Sequence, residues 1–499
     1  MDKRRSGILM HITSLPGKFG IGTFGEEAYK FIDFLVETKQ TYWQILPLTT
    51  TSYGDSPYQS FSAMAGNTNL IDFDLLVQKN FLEVSDYSNV NFGDNDDKVD
   101  YALLFKARRP ILEKAVANFL TLDIKEDFYN FEKENEFWLE DYAQFMAIKE
   151  HFGNKAITKW DDPKAIIRDE NTLEYYKEEL NFEIMFHKVC QYFFFKQWLD
   201  LKNYANSKNI KIIGDIPIYI SADSVEVWTM PELFMVNEKR EAIYVSGCPS
   251  DSFSEDGQLW GNPTYNWKEH KRTKFKWWID RIRQNFKMYD LLRIDHFKGF
   301  SDYWEIDGNS KIANSGKWQV GVGIDLFDAI KNELGDLDII AEDLGYVDER
   351  SKKLLADTGF PGMKILEFGF YDTTGNSIDS PHSCVPNSVV YSGTHDNEVI
   401  NGWYENLNPS QKEYFNTYIN KKDDELVSRA MLRTLFSTVS NIAIASMQDI
   451  LDKDASSRMN IPSTVGGNWQ WRMKKDDLTD DKKEFLIKIT KIYNRVNIL

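Results

Sequence analysis

Eight short runs rich in Ile, Leu and Val recur along the 499-residue chain, with helix-patterned stretches between most of them. They cover residues 7–11, 42–47, 210–218, 291–295, 339–342, 363–366, 389–392 and 442–445. Each is short and mostly apolar, which reads as a buried strand. Between the first two, residues 26–37 place Phe31, Phe34 and Leu35 at helical spacing. Strand and helix in alternation predict a parallel sheet with helices outside it. Eight such units predict an α/β fold, a closed (β/α)8 TIM barrel.

The spacing of the runs is uneven. About 160 residues separate the second run from the third, far more than one βα unit needs. A mostly helical inserted subdomain is therefore expected at approximately 75–200. Within it, Trp138, Tyr142, Phe145 and Phe152 share one helical face, and Phe186, Val189, Cys190, Phe193 and Trp198 share another. Both stripes read as core. The acidic stretch 94–97 lacks the Gly and terminal Glu of a calcium loop and reads as a solvated loop. A second insertion, 221–283, is rich in Gly, Pro, Trp and Ser, and long structured loops at a barrel mouth usually bind something. No flexible linker cuts off an independent module, so 1–499 is expected to be one barrel domain with these insertions and no separate binding module.

Three of the runs end in acids. Asp295 closes Leu-Leu-Arg-Ile-Asp, Glu342 follows Ile-Ile-Ala, and Asp396 follows Val-Val-Tyr-Ser-Gly-Thr-His. In a parallel barrel the C-terminal ends of the strands carry the chemistry. A single acid there would be an ordinary turn or cap residue. Three at one mouth point to work on a glycosidic bond, where one carboxylate attacks and a second moves a proton. The attacker must stay ionised. Arg293, two residues before Asp295 and so on the same face of its strand, is the expected partner. The proton carrier needs a raised pKa, and Glu342 has Asp295 and Asp396 as possible negative neighbours. Asp396 is left to hold the sugar, with His296 and His395 as hydroxyl donors.

Composition narrows the ligand. The net charge of −18 opposes nucleic acid phosphates and anionic membranes, and a neutral ligand is indifferent to it. Aromatic residues are abundant, which suits sugar-ring stacking but also fills cores. Cys190, Cys248 and Cys384 form no disulfide or zinc pattern, as expected of a cytoplasmic protein. The N-terminus makes a poor signal peptide, and no segment approaches a membrane span.

Ordered signatures along the chain carry a resemblance. They are residues 5–27, Tyr-Trp-Gln-Ile-Leu-Pro-Leu at 42–48, Gly-Asp-Ser-Pro-Tyr-Gln-Ser at 54–60, and Gly-Asp-Ile-Pro-Ile-Tyr at 214–219. Then come Gly-Gln-Leu-Trp-Gly-Asn-Pro at 257–263, Arg-Ile-Asp-His-Phe at 293–297, Ala-Glu-Asp-Leu-Gly at 341–345 and Phe-Pro-Gly-Met-Lys at 360–364. Thr-His-Asp-Asn at 394–397, Arg-Met-Asn at 458–460 and Gly-Gly-Asn-Trp at 466–469 complete the set. Together they resemble the amylomaltase family (4-α-glucanotransferases, or disproportionating enzymes) of the α-amylase clan.

That resemblance implies a retaining transfer of α-1,4-glucan segments to the 4-hydroxyl of glucose or another glucan. Asp295 would be the nucleophile, Glu342 the acid/base and Asp396 the transition-state stabiliser. Tyr58, Asp215, Arg293, His395 and His296 would line the subsite of the attacked sugar, Trp260 would close over the donor, and Asn460 would lie near it. No cofactor or metal is implied. The loop at 247–253 departs from the family pattern: Ser250 stands where a second Pro is usual, and Ser252 where Tyr or Ala is frequent. The rival readings are a hydrolase using the same acids, a non-catalytic glucan binder, and a divalent-metal enzyme. The last lacks a His-Glu-x-x-His or similar spacing.

Overall fold

The computed structural model describes residues 4–51, 53–250, 256–345 and 348–497. Eight parallel strands close into a barrel: β1 (Arg5–Leu9), β2 (Tyr42–Gln44), β3 (Lys211–Pro217), β4 (Leu291–Asp295), β5 (Ile339–Ala341), β6 (Gly362–Ile365), β7 (Ser388–Tyr391) and β8 (Ile442–Ser446). They follow one another around the barrel in chain order, and β8 closes on β1 with Arg5 opposite Ile442. All eight expected runs are strands, with ends shifted by a residue or two and, for β2, by three.

The runs read clearly because barrel strands are covered on both faces. Ile212, Ile213, Leu291, Leu292, Ile340, Val389, Val390 and Ile444 are completely buried. Gly7 lets β1 approach β2: a Cβ there would lie 2.5 Å from that of Tyr42. Helix α1 (Glu26–Glu37) spans the residues its periodicity marked, with Phe31, Phe34 and Leu35 buried against the barrel.

Between β2 and β3 the chain forms seven α-helices among the described residues, the last and longest being Asn181–Ser207. The two aromatic stripes meet there. Helix Leu139–His151 packs along Asn181–Ser207, with the Trp138 and Phe195 rings 5.9 Å apart. The C-terminal half of the long helix returns to the barrel wall, where Trp198 Nε1 donates to the Met288 carbonyl at 3.1 Å.

One element departs from the loops expected at 221–283. A four-stranded antiparallel sheet runs in the order Gln258–Pro263, Tyr244–Cys248, Asp302–Asp307, Lys317–Val320. It joins the segment after β3 to the segment after β4, so this side sheet extends beyond residue 283. Its outer strands are partly exposed and lack the continuous apolar signal of the barrel.

Candidate active site

Asp295 is the last residue of β4, and Glu342 is the first residue beyond β5. Asp396 lies farther out, five residues past the end of β7, in a turn. That turn is tied internally: the Thr394 N–H and hydroxyl both donate to Asn397 Oδ1 at 2.9 Å. The strand ends four residues before His395, so strand alternation does not separate His395 from Asp396. Their side chains meet, with His395 Nε2 3.3 Å from Asp396 Oδ2.

Arg293 is the hub of the site and is buried. Its Nη1 donates to both oxygens of Asp215, at 2.8 and 2.7 Å, and its Nη2 donates to Asp295 Oδ1 at 2.8 Å. Asp215 and Arg293 are register partners on β3 and β4. Burial alone would lower the guanidinium pKa, but Asp215 and Asp295 outweigh it and keep Arg293 charged. Burial pushes the Asp215 carboxyl up to about 6, with the Arg293 charge limiting the rise. Asp295, the more exposed of the two acids, therefore faces the cleft with a fixed cation behind it.

Glu342 has the opposite character. Burial and then the Asp295 charge push its carboxyl up to about 8, against Arg293 and two backbone donors. Those donors are His296 N–H to Oε2 at 2.7 Å and Leu344 N–H to Oε1 at 2.8 Å. His296 adopts a left-handed backbone, φ 53°, which a side-chain-bearing residue takes only at a cost. Its ring meets Trp260 edge-on, with centroids 4.9 Å apart. Trp260 comes from the outer strand of the side sheet, so the extra sheet carries an aromatic wall to the catalytic mouth.

Tyr58 joins the remaining residues. Its hydroxyl donates to Asp215 Oδ2 at 2.8 Å, and its ring stacks on His395 with centroids 5.0 Å apart and planes 18° apart. Burial and the Asp215 charge hold the phenol well above its ordinary pKa, so it remains a donor. Asn460 Nδ2 donates to Asp396 Oδ1 at 2.6 Å, which gives this side chain a protein partner within the site.

Asp295, Glu342, Asp215, Arg293, His296, Trp260 and Tyr58 thus form one contact network, and Tyr58 links it to His395, Asp396 and Asn460. The Ser250 N–H donates to Asn314 Oδ1 at 3.0 Å, in the turn between two strands of the side sheet, a bond a proline could not make. Ser252 is outside the described residues.

Several residues of the site had no role assigned from sequence. Arg458, inside the Arg-Met-Asn signature, donates to the Asp396 carbonyl at 2.6 Å and to the Asn460 carbonyl at 2.9 Å. Trp469, in Gly-Gly-Asn-Trp, packs 5.8 Å from the Tyr58 ring and 5.7 Å from that of His395. His11 sits behind His395 and accepts the Leu46 N–H through Nδ1. Burial and the His395 charge lower its pKa to about 3. The signatures contained the signal for all three, but one sequence could not separate site residues from packing residues.

Among the described residues, no three His, Cys, Asp or Glu side chains gather in a metal-ligating group, and no helix is long and apolar enough to cross a membrane. The arrangement sets a half-buried, cation-backed carboxylate near a desolvated carboxyl whose pKa is pushed up to about 8. That pairing suits double displacement at an anomeric carbon.

A family profile described as 4-alpha-glucanotransferase matches residues 10–479. A 4-alpha-glucanotransferase of Streptococcus pneumoniae (strain ATCC BAA-334 / TIGR4) is 54% identical over 100% of the chain and 98% of its own length. One from Clostridium butyricum is 48% identical over 97% of the chain and 100% of its own. Among solved structures, an amylomaltase from Streptococcus agalactiae in complex with acarbose superposes with a TM-score of 0.98. It shares 62% identity and is matched over 99% of this chain and 100% of its own.

Proposed function

The chain belongs to the 4-alpha-glucanotransferase family, whose reaction moves a segment of an α-1,4-glucan to an acceptor, and we propose that it does so here through Asp295, Glu342 and Asp396. Asp295 attacks the anomeric carbon of the donor while Glu342 gives its proton to the departing 4-hydroxyl. A β-glucosyl ester on Asp295 results. The 4-hydroxyl of glucose or another glucan then displaces the ester, and Glu342 takes up the incoming proton.

The observation that carries this reading is the contrast between the two acids. Arg293 holds Asp295 by a 2.8 Å bond, whereas Glu342 is pushed up to about 8 by burial and by Asp295 itself. When Asp295 becomes an ester its charge disappears, and with it one cause of the raised Glu342 pKa. The His296 and Leu344 N–H groups then favour the carboxylate, so the same residue serves as acid first and base second. Asp396, held by Asn460, supports positive charge on the ring in the transition state. Tyr58, Asp215, Arg293, His296 and His395 bind and orient the attacked sugar. Trp260 covers the donor.

We read the chain as one catalytic barrel domain, with the 75–200 and 221–283 insertions shaping its mouth. Three free cysteines among the described residues suit a reducing cytoplasm, where maltooligosaccharides, starch or glycogen would supply the glucan. The resemblance to an acarbose-bound amylomaltase supports a glucan in this cleft.

Incubation with maltotriose tests the reading. Glucose together with a ladder of longer oligomers is expected. A rise in reducing ends without longer products would make the enzyme a hydrolase. Asp295→Asn should lower turnover at least about a thousandfold while glucan binding persists, and near-normal turnover in that variant would remove Asp295 as the nucleophile.

A further inference from the structure

The Phe-Pro-Gly-Met-Lys run at 360–364 has no part in the reaction as described. Its methionine nevertheless reaches the centre of the site. Strand β6 directs Met363 and Ile365 inward, at 1% and 0% exposure, with Lys364 between them facing out. The Met363 Sδ lies 3.4 Å from Arg293 Nε and accepts its hydrogen bond. Arg293 is on β4, two strands away. In an eight-stranded barrel the inward side chains of alternate strands meet in one layer, which is how these two residues come together.

With this bond, all three nitrogens of Arg293 have partners. Nη1 is on Asp215, Nη2 on Asp295 and Nε on Met363. The backbone that carries Met363 is anchored independently of the contact. The Met363 N–H donates to Asp343 Oδ1 at 2.7 Å, and Gly362 packs so tightly on the same carboxylate that a Cβ would lie 2.6 Å from it. The choice of a thioether has a physical logic. A carboxylate at this position would compete with Asp295 for the guanidinium. An aliphatic side chain would leave Nε as a buried donor without a partner. A thioether accepts weakly and carries no charge, and its unbranched chain reaches across the layer.

We propose that Met363 is a positioning residue for the transfer reaction: its sulfur fixes the Nε edge of Arg293, so that Nη2 stays on Oδ1 of Asp295. The inference rests on the reading of Asp295 as the nucleophile.

Three variants test it: Met363→Leu, which keeps volume and loses the acceptor; Met363→Gln, which keeps an unbranched chain and an acceptor; and Asp295→Asn. The kcat of Met363→Leu on maltotriose should fall about tenfold, with KM within about twofold and Tm near that of the parent. The deficit should persist with an α-maltosyl fluoride donor, which needs nucleophilic attack but no proton from Glu342. Met363→Gln should recover part of the lost kcat although a buried amide makes it the less stable protein. A packing role alone predicts the reverse order, with activity following stability. Parental kcat in Met363→Leu, or a deficit that vanishes with the fluoride, would overturn the proposal, and the leucine variant decides this even where the glutamine variant fails to fold. Turnover in Asp295→Asn would instead remove the nucleophile reading on which the inference stands.

Discussion

The backbone N–H of His296 donates to Glu342 Oε2 at 2.7 Å, so the residue next to Asp295 in sequence is bonded directly to the acid of the neighbouring strand. Asp295 and Glu342 are thereby held by one backbone turn. Glu342 is raised to about 8, by burial first and Asp295 second, and in the proposed reaction it enters the first step protonated. The kcat/KM profile should accordingly lose activity as pH rises through about 8. An activated donor that needs no proton should lack this basic limb during formation of the glucosyl ester. An unchanged limb with such a donor would assign it to another group.

The same shift predicts a stability effect. An acid whose folded pKa is raised destabilises the fold as pH climbs from its unfolded value, near 4.5, to its folded value, near 8, because only the unfolded chain ionises freely in that window. Glu342→Gln removes the effect. Its Tm should equal that of the parent below pH 4.5, exceed it increasingly up to pH 8, and hold a constant advantage above. Thermal scans across pH check this, with an expected plateau on the order of a few °C.

Tyr58 uses two parts of its side chain on two partners, the hydroxyl on Asp215 and the ring on His395. Tyr58→Phe removes the first and keeps the second. A hydrogen bond to a charged group contributes about 1.5 kcal/mol or more, so kcat on maltotriose should fall about tenfold with little change in Tm. Tyr58→Ala should fall further because the His395 stack is lost as well. Equal activity in the two variants would show that the ring contributes nothing.

Asn460 gives its amide to Asp396 at 2.6 Å and is itself held through its carbonyl by Arg458. Asn460→Ala leaves Asp396 one donor short and should lower kcat about tenfold. Asn460→Asp replaces the donor with a second carboxylate that repels the first, and should cost more, about a hundredfold at neutral pH. Steady-state kinetics of the two variants at pH 7 distinguish a supporting amide from a packing residue, for which aspartate and alanine would rank alike.

Much of this protein was legible along the chain. The barrel strands announced themselves because each is buried on both faces and so is nearly uniform in composition. The acids at their ends followed from where parallel barrels expose side chains, and Arg293 followed from the two-residue repeat of a strand. The side sheet was not legible. Its outer strands carry exposed polar residues, and Tyr244–Cys248 pairs with Asp302–Asp307 across an intervening barrel strand. No local pattern encodes such a pairing.

The sequence by itself therefore determined the eight-unit order, the strands that bear Asp295 and Glu342, and, through its ordered signatures, the family reaction. Tertiary structure alone decided how the acids differ. The raised pKa of Glu342 comes from desolvation and from a charge on another strand. The grip on Asp295 depends on Asp215, 78 residues from Arg293, and on a sulfur 70 residues away. Asp396 is held by an amide 64 residues distant. Electrostatic and hydrogen-bond energies depend on distances in space and on the exclusion of water. Neither quantity exists until the barrel has closed.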